Sequence, residues 1–145
     1  KGFNVIGIDL SKEMIASAKK KLKNAEFEVM DILRLKFEGN TFDGAWANAS
    51  LLHVPKKDIA KLIKAIYRSL KEGGIFYSSL KEGDGEAMLP DERYRDAKKF
   101  WAFYKEAELK KLFTDAGFIV LESYVTKKRH AYATHPWISV FARKS

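Results

Sequence analysis

Apolar residues first cluster near the start of the chain, over residues 3–9. Val5, Ile6 and Ile8 lie almost side by side there, and Asp9 ends the run. A strand that is covered on both faces of its sheet carries a continuous apolar run, whereas a half-exposed strand alternates apolar and polar residues. The pattern therefore predicts a buried β-strand that ends on an acidic residue.

Three later segments repeat their apolar residues at helical spacing. Ser11 suits the N-cap of the first predicted helix, Pro55 suits the first turn of the second, and Gly117 follows the third. The apolar stripes are Met14, Ile15, Ala18 and Leu22 in the first helix, then Ile59, Leu62, Ile63, Ile66, Tyr67 and Leu70, and finally Leu109, Leu112, Phe113 and Ala116. The second stripe is the strongest periodic signal in the chain, and it predicts a helix that stops at Gly73 and Gly74.

Further strand-like runs separate these helices. They cover residues 27–30, 43–49, 75–81, 118–126 and 137–143, and the last two are predicted to pair as an antiparallel hairpin. Residues 82–96 are rich in Gly, Asp, Glu and Arg and contain one Pro, so this segment is predicted to be a mobile loop or lid.

The alternation of strands and helices predicts an α/β fold with an open, mostly parallel sheet. Right-handed crossovers bring the carboxyl ends of parallel strands to one edge of such a sheet, where ligands bind. Asp9, Asp31 and the Asn48–Ala49–Ser50 turn all follow predicted strands. We therefore expect these polar residues at the same edge, where they would form a candidate binding site.

The composition narrows the class of protein. A chain of 145 residues predicts a single domain over residues 1–145, and no stretch is long and apolar enough to span a membrane. The absence of cysteine suits a reducing cytoplasm and excludes thiolate metal sites. His53, His130 and His135 are too scattered to have metal-ligand spacing, so no metal is predicted.

The chain carries a formal net charge of +8, from 27 Lys and Arg against 19 Asp and Glu. Such an excess attracts polyanions, which keeps a nucleic-acid partner open as an alternative. The lysines are scattered and gather near predicted helix ends, where solvation and the helix dipole explain them. A small-molecule partner is therefore favoured over nucleic acid.

Five segments in succession resemble a known family. They read VIGIDLSKEMIASAKKKL, FEVMDIL, FDGAWANASLLHVP, LKEGGIFYSSLKEG and YKEAELKKLFTDAGFIVLES, followed by WISVFARK. In order and approximate spacing, they are similar to the class I S-adenosylmethionine-dependent methyltransferases. The resemblance covers nearly the whole chain and implies a Rossmann-like fold, with helices on both faces of the sheet and a final antiparallel hairpin.

The resemblance also implies a set of cofactor-binding residues. Asp9 would accept hydrogen bonds from the ribose hydroxyls, and Asp31 would receive the adenine amino group. A carboxylate accepts several such bonds at once, and charge-assisted bonds are the stronger kind. The full implied set is Asp9, Leu10, Ser11, Met14, Asp31, Ile32, Asn48, Ala49 and Ser50.

The implied reaction is transfer of the sulfonium methyl group to a small-molecule acceptor by in-line attack. A protein that performs it must hold the nucleophile at near-attack distance and away from water, and a nearby base helps if the nucleophile carries a proton. His53 is the candidate catalytic residue. The candidate acceptor-binding residues are Tyr77, Trp101, Tyr104 and His130.

Each of these residues also has an ordinary structural interpretation. Asp9 can simply cap the following helix, and Asp31 can be a turn residue. Asn48 and Ser50 can be the polar end of a strand, and a histidine at a helix start is often structural. The aromatic residues near Trp101 can dock a loop onto the sheet.

The family's first strand, its glycine-rich turn and the next helix have no counterpart before residue 3. Since that strand is central in the family's strand order 3-2-1-4-5-7-6, its neighbours would have unpaired edges. We therefore expect an amino-terminally incomplete fold with weak or no cofactor binding by these 145 residues alone. Two alternatives are a shifted, smaller sheet and an oligomer that pairs the open edges.

Two other functions compete with small-molecule methylation. The first is an RNA or tRNA methyltransferase, which the positive charge favours. The second is a non-catalytic binding domain that retains the fold and has lost the reaction. A nicotinamide-dependent dehydrogenase shares the acidic ribose ligand, but the later segments do not resemble one.

Overall fold

The computed structural model describes residues 2–91, 97–126 and 135–145, and contacts divide the chain into two compact units. The first unit covers Lys1–Lys36 and the second covers Phe37–Ser145. Among the described residues, the first unit has one sheet of two strands, and the second has one sheet of four strands and one of two. The prediction of one domain over residues 1–145 stays a prediction.

The first unit is a short β–α–β element. Strand β1 (Ile6–Asp9) is followed by helix α1 (Lys12–Lys21), strand β2 (Glu26–Val29) and a 3₁₀ turn (Ile32–Arg34), and the two strands are parallel. Ser11 caps α1 as predicted, because its hydroxyl accepts the Met14 backbone N–H at 3.2 Å.

The apolar stripe predicted for α1 is buried only in part. Ile15 is buried, whereas Met14 and Leu22 are both 59% exposed. Strand β1 also begins at Ile6, later than the apolar pattern indicated. A single short helix on two four-residue strands offers little surface to cover these side chains, which explains why the pattern overstated the burial.

The second unit contains the larger sheet and two helices. In chain order its elements are β3 (Phe42–Asn48), a 3₁₀ turn (Leu51–His53), α2 (Lys56–Ser69), β4 (Leu70–Lys81), β5 (Glu86–Asp91), β6 (Ala97–Ala102), α3 (Glu106–Asp115), β7 (Phe118–Thr126) and β8 (Trp137–Lys144). β3 and β4 are parallel, whereas β4–β8 and β7–β8 are antiparallel. The predicted α/β class, with parallel strands and a C-terminal antiparallel hairpin, is confirmed.

Helix α2 ends earlier than its periodicity predicted. Leu70, the last member of the predicted stripe, is the first residue of β4 and pairs with Phe42 of β3. The side chain of Leu70 is nevertheless fully buried. Leu70 is therefore apolar because it is buried as part of the sheet, not as part of the helix. Helical spacing alone does not reveal such a tertiary contact.

An aromatic cluster forms the core between the helices and one face of the sheet. The rings of Phe76 and Phe113 stack with their centroids 5.1 Å apart, and Phe118 lies 5.6 Å from each of them. Tyr67 of α2 meets Phe118 edge to face at 5.0 Å. These contacts between aromatic rings fix both helices against the same face of the sheet.

The predicted loop over residues 82–96 is wrong in the part that the structure describes. Strand β5 pairs with β6 in antiparallel register, from Glu86 opposite Ala102 to Asp91 opposite Ala97, and residues 92–96 lie outside the described part. Trp101 and Ala102 are buried. Burial of β6 and ladder hydrogen bonds outweigh the loop-like composition of this segment.

Candidate functional site

Asp9 and Asp31 lie at the same edge of the two-stranded sheet. Asp9 ends β1 opposite Val29, the last residue of β2, and the Met30 backbone N–H donates to the Asp9 carbonyl oxygen at 3.0 Å. Asp31 follows directly and precedes the 3₁₀ turn. The structure thus brings together two carboxylates that the sequence places 22 residues apart.

Each carboxylate also makes a local hydrogen bond. Asp9 Oδ1 accepts the Ser11 backbone N–H at 2.8 Å, and Asp31 Oδ1 accepts the Leu33 N–H at 2.9 Å. The turn interpretation therefore applies to Asp31, which caps the 3₁₀ turn, whereas Ser11 rather than Asp9 is the N-cap of α1. Since a carboxylate has two oxygens and about four acceptor positions, one such bond leaves capacity for the hydroxyl or amino groups of a ligand.

Apolar side chains stand exposed next to these carboxylates. Leu10 is 72% exposed and Met14 is 59% exposed, while Ile32 is half-buried in the 3₁₀ turn. Between them, the Ser11 hydroxyl donates to Glu13 Oε2 at 2.9 Å. Hydrogen bonds from its own backbone and from Ser11 lower the pKa of Glu13, so that this carboxyl stays charged at the helix start.

In the second unit, the turn after β3 has an unusual backbone. Ala49 lies in the left-handed region with φ +55°, a conformation that costs a residue with a Cβ about 1 kcal/mol or more. Its N–H donates to the carbonyl and hydroxyl oxygens of Ser79, each at 3.2 Å. The Ser79 hydroxyl in turn donates to Asn48 Oδ1 at 2.6 Å.

Ser79 is thus a site residue that the sequence analysis missed. It lies directly opposite Asn48 in the parallel β3–β4 ladder, and it is almost fully buried. Ser50 follows the turn with an αR backbone and makes no side-chain capping bond. The polar pair Ser78–Ser79 within an otherwise apolar strand was a signal in the sequence that could have found this support.

His53 lies at the end of the 3₁₀ turn and contacts strand β6. Its Nδ1 is 2.9 Å from the carbonyl oxygen of Phe100, and its ring centroid is 4.7 Å from that of Trp101. A carbonyl oxygen can only accept a hydrogen bond, so Nδ1 carries the proton in this contact. In the neutral imidazole, Nε2 is then the basic nitrogen.

The start of α2 adds two charged contacts to this region. The Lys56 backbone N–H donates to Glu86 Oε1 at 2.6 Å, and Lys56 Nζ pairs with Glu108 at 2.9 Å. Lys81 Nζ lies 3.8 Å from the centroid of the Trp101 ring, a cation–π distance. Nothing in the sequence indicated that Glu86 and Lys81 belong to this region, because the residues that they contact are distant in the chain.

The predicted acceptor-binding residues occupy different environments. Trp101 is 7% exposed and Tyr104 is fully buried, and neither the indole N–H nor the phenol has a hydrogen-bond partner among the described residues. Tyr77 is half-buried and stacks on Trp46 at 4.0 Å. His130 lies outside the described residues.

Burial shapes the chemistry of Tyr104. It raises the pKa of this phenol well above its usual value, and the negative charges of Glu108 and Glu86 add to the shift. Tyr104 therefore remains neutral at physiological pH. Its role toward an acceptor stays a prediction, as do the roles of Tyr77, Trp101 and His130.

The comparison with protein families decides what kind of domain this is. The family described as a methyltransferase domain matches residues 1–78, which is more than half of the 145-residue chain. The chain belongs to this methyltransferase family. The predicted resemblance is thereby confirmed, and the match includes both carboxylates and the Asn48–Ala49–Ser50 turn.

Individual relatives agree with this assignment. Phosphoethanolamine N-methyltransferase 2 of Caenorhabditis elegans is 35% identical over 91 residues, which are 59% of this chain and 20% of that protein. A SAM-dependent methyltransferase from Methanosarcina mazei superimposes with a TM-score of 0.86 at 23% identity, covering 99% of this chain and 82% of that one. The methyltransferase chain thus spans about a fifth of the length of the C. elegans relative and most of the M. mazei structure.

A third comparison bears on the cofactor. The 1,6-didemethyltoxoflavin-N1-methyltransferase of Burkholderia thailandensis, solved with S-adenosylhomocysteine bound, has a TM-score of 0.75 at 25% identity and covers 99% of this chain and 62% of that one. The family and this neighbour support S-adenosylmethionine as the cofactor. The residues present fit it, because Asp9 and Asp31 supply hydrogen-bond acceptors beside the exposed apolar surface of Leu10 and Met14.

Two further properties concern only the part of the chain that the structure describes. None of its helices is both long and apolar enough to cross a membrane. Within the same residues, no three His, Cys, Asp or Glu side chains are grouped so that they could hold a metal ion.

Proposed function

We propose that this chain is the part of an S-adenosylmethionine-dependent methyltransferase that holds the cofactor and transfers its methyl group to a small-molecule acceptor. One observation carries the proposal: Asp9 ends one of two adjacent parallel strands and Asp31 lies two residues past the end of the other, beside the exposed side chains of Leu10 and Met14. Carboxylates next to an apolar surface suit a ligand that combines hydroxyl and amino groups with a flat ring.

In this proposal, the first unit binds the adenosine portion. Asp9 accepts the ribose hydroxyls and Asp31 accepts the adenine amino group, while Ile32 offers its backbone N–H to the ring. Leu10 and Met14 cover the ring, and Ser11 keeps the helix start in place through its bond to the Met14 N–H. Each contact uses groups at or near the surface of this unit, so that little rearrangement is needed on binding.

The assignment of Asn48, Ala49 and Ser50 to the methionine portion of the cofactor stays a prediction. The left-handed backbone at Ala49 supports this role, because strained conformations often mark positions where a chain is shaped for a ligand. Ser79 fixes the turn from behind through its bonds to Asn48 and Ala49. The role of Ser79 is therefore one of support rather than of direct contact.

The cofactor supplies a methyl group that its sulfonium already activates, so the protein contributes position, shielding and proton transfer. His53 is proposed to accept, at Nε2, the proton that the acceptor would lose on methylation. The bond from Nδ1 to the Phe100 carbonyl supports this role, since it leaves Nε2 as the basic nitrogen.

A small-molecule acceptor is favoured by the relatives. Those named for their acceptors include a sterol 24-C-methyltransferase from Saccharomyces cerevisiae and the phosphoethanolamine and toxoflavin enzymes described above. The alternative of a nucleic-acid acceptor rests on the net charge of +8 alone. We therefore propose a small acceptor that binds near His53 and Trp101, whose rings lie 4.7 Å apart.

The cofactor assignment is tested by titrating the ¹⁵N-labelled protein with S-adenosylhomocysteine and following the amide resonances. This measurement detects even weak binding. The proposal predicts saturable shifts at residues 9–14, 31–32 and 48–50. Saturable shifts confined to other segments would overturn it.

A further inference from the structure

Two hydrogen bonds fasten the β5–β6 hairpin to the segment between the 3₁₀ turn and α2. His53 Nδ1 donates to the Phe100 carbonyl at 2.9 Å, and the Lys56 N–H donates to Glu86 Oε1 at 2.6 Å. On the segment, the two donors are three residues apart. On the hairpin, Glu86 pairs with Ala102, which is two residues beyond Phe100. The two hydrogen bonds therefore lie next to each other and connect the same two stretches of the chain.

The start of α2 depends on Glu86 for one of its backbone donors. Pro55 occupies the N-cap position and makes no side-chain capping bond. The first turns of a helix leave backbone N–H groups without partners inside the helix, and a carboxylate there is favoured by the hydrogen bond and by the helix dipole. The distance of 2.6 Å is short for a backbone N–H, and a carboxylate acceptor makes this bond one of the charge-assisted kind.

The neighbouring residue on β6 reinforces the same arrangement. Trp101 follows Phe100, is 7% exposed, and lies with its ring centroid 4.7 Å from that of His53. A displacement of the hairpin would thus remove both the carbonyl acceptor of His53 and its aromatic neighbour. His53 itself is exposed, so among the described residues it is the hydrogen bond to Phe100 and the ring contact with Trp101 that orient its imidazole.

We propose that Glu86 is a positioning residue for His53. By fastening the hairpin to the first turn of α2, Glu86 holds the Phe100 carbonyl against His53 Nδ1. This contact keeps the imidazole in the tautomer whose Nε2 is unprotonated and directed away from the hairpin bond. The proposal rests on the proposed role of His53 as the proton acceptor, but its structural part can be tested without any substrate.

The test is long-range ¹H–¹⁵N NMR spectroscopy of the imidazole rings, with the His53 signals assigned by their loss in His53→Gln. In the wild-type protein at mildly alkaline pH, Nδ1 is expected in the protonated range and Nε2 in the unprotonated range. Glu86→Ala removes the fastening group, so its His53 signals should move to values averaged over both tautomers. Hydrogen exchange at the Lys56 amide should accelerate roughly tenfold or more.

Two further variants control this measurement. Glu86→Gln keeps an oxygen that can accept the Lys56 N–H, so it should retain the wild-type tautomer. Asp84→Ala removes a carboxylate from the same segment, where its described contact is an exposed ion pair with Lys105, and it should also leave His53 unchanged. Should Glu86→Ala not fold, Glu86→Thr serves instead, because threonine favours strands and its hydroxyl is too short to reach the Lys56 N–H.

A wild-type spectrum with Nε2 protonated would overturn the proposal. An unchanged tautomer in the folded Glu86→Ala or Glu86→Thr protein would also overturn it, even if that protein melted at a lower temperature, because a merely stabilising role predicts only the change in melting. The titration with S-adenosylhomocysteine reports separately on the proposed function. Failure of one claim is thereby distinguished from failure of the other.

Discussion

The Ser79 hydroxyl donates a hydrogen bond of 2.6 Å to the side-chain oxygen of Asn48, across the parallel strands β4 and β3. The same hydroxyl lies 3.2 Å from the Ala49 N–H, which donates to it. One buried serine thus supports two consecutive residues of the turn that follows β3. The shape of this turn depends on a neighbouring strand as well as on its own residues.

Ser79→Ala removes both side-chain bonds and should lower the free energy of unfolding by about 1–2 kcal/mol, because Asn48 and Ala49 lose a partner. Ser78→Ala is a matched control, since the buried Ser78 hydroxyl has no hydrogen-bond partner within the part of the chain that the structure describes. It should leave stability unchanged or slightly increase it. Urea denaturation of both variants measures the difference, and equal losses would contradict the assigned role of Ser79.

Ala49→Gly should be tolerated or stabilising. Glycine adopts φ +55° without the steric clash that costs alanine about 1–2 kcal/mol. Glycine also makes the unfolded chain more flexible, which lowers the stability of the folded protein by about 0.5–1 kcal/mol. The expected net gain is about 0.5 kcal/mol. Ala45→Gly, within β3, has no such relief and should destabilise by about 0.5–1 kcal/mol. A loss at residue 49 as large as that at residue 45 would count against the strained turn.

Tyr104→Phe should change how stability depends on alkaline pH. Burial, with the charges of Glu108 and Glu86, raises the pKa of Tyr104 in the folded protein. Below about pH 10 the phenol is protonated in both the folded and unfolded states, and above it the unfolded state releases the proton first. Wild-type stability should therefore fall as the pH rises above about 10.

The Tyr104→Phe variant should lack the part of this alkaline fall in stability that comes from ionisation of the phenol. At neutral pH it should be as stable as the wild type or more stable by about 1 kcal/mol, because no residue that the structure describes bonds to the buried hydroxyl. Melting temperatures at pH 8 and pH 10.5 measure both effects, with Tyr77→Phe as a control at a half-buried tyrosine. A parallel pH dependence of wild type and Tyr104→Phe would refute the assigned cause.

Local signals predicted much of this fold from the sequence. The Ser11 cap, the stripe of α2 and the acidic residue after each of the first two strands depend on neighbours in the chain, and the structure bears them out. The same strand ends brought Asp9 and Asp31 into one candidate site. The cap, the stripe and the acidic residues needed only residues within a few positions of one another, and the grouping of Asp9 with Asp31 needed in addition only the rule that parallel strands end at one edge of a sheet.

Features that depend on distant partners escaped prediction. The β5–β6 hairpin has a loop-like composition, and its strands are stabilised by pairing and by the burial of Trp101. Leu70 matches the helical period but pairs with Phe42. Glu86 acts on a residue 30 positions away, and no local pattern indicated it. The Ser78–Ser79 pair marked Ser79 in the sequence, but nothing local indicated its partner 31 positions away.

The most direct test of the central claim compares Asp9→Asn with the wild type in binding S-adenosylhomocysteine, followed by amide shifts in NMR titrations. Asparagine keeps an oxygen for the Ser11 N–H but loses the charge and an acceptor, so affinity should fall about 10-fold or more. Glu28→Gln, an exposed carboxylate of the same unit, should bind like the wild type. Equal affinity of Asp9→Asn and wild type would contradict the account.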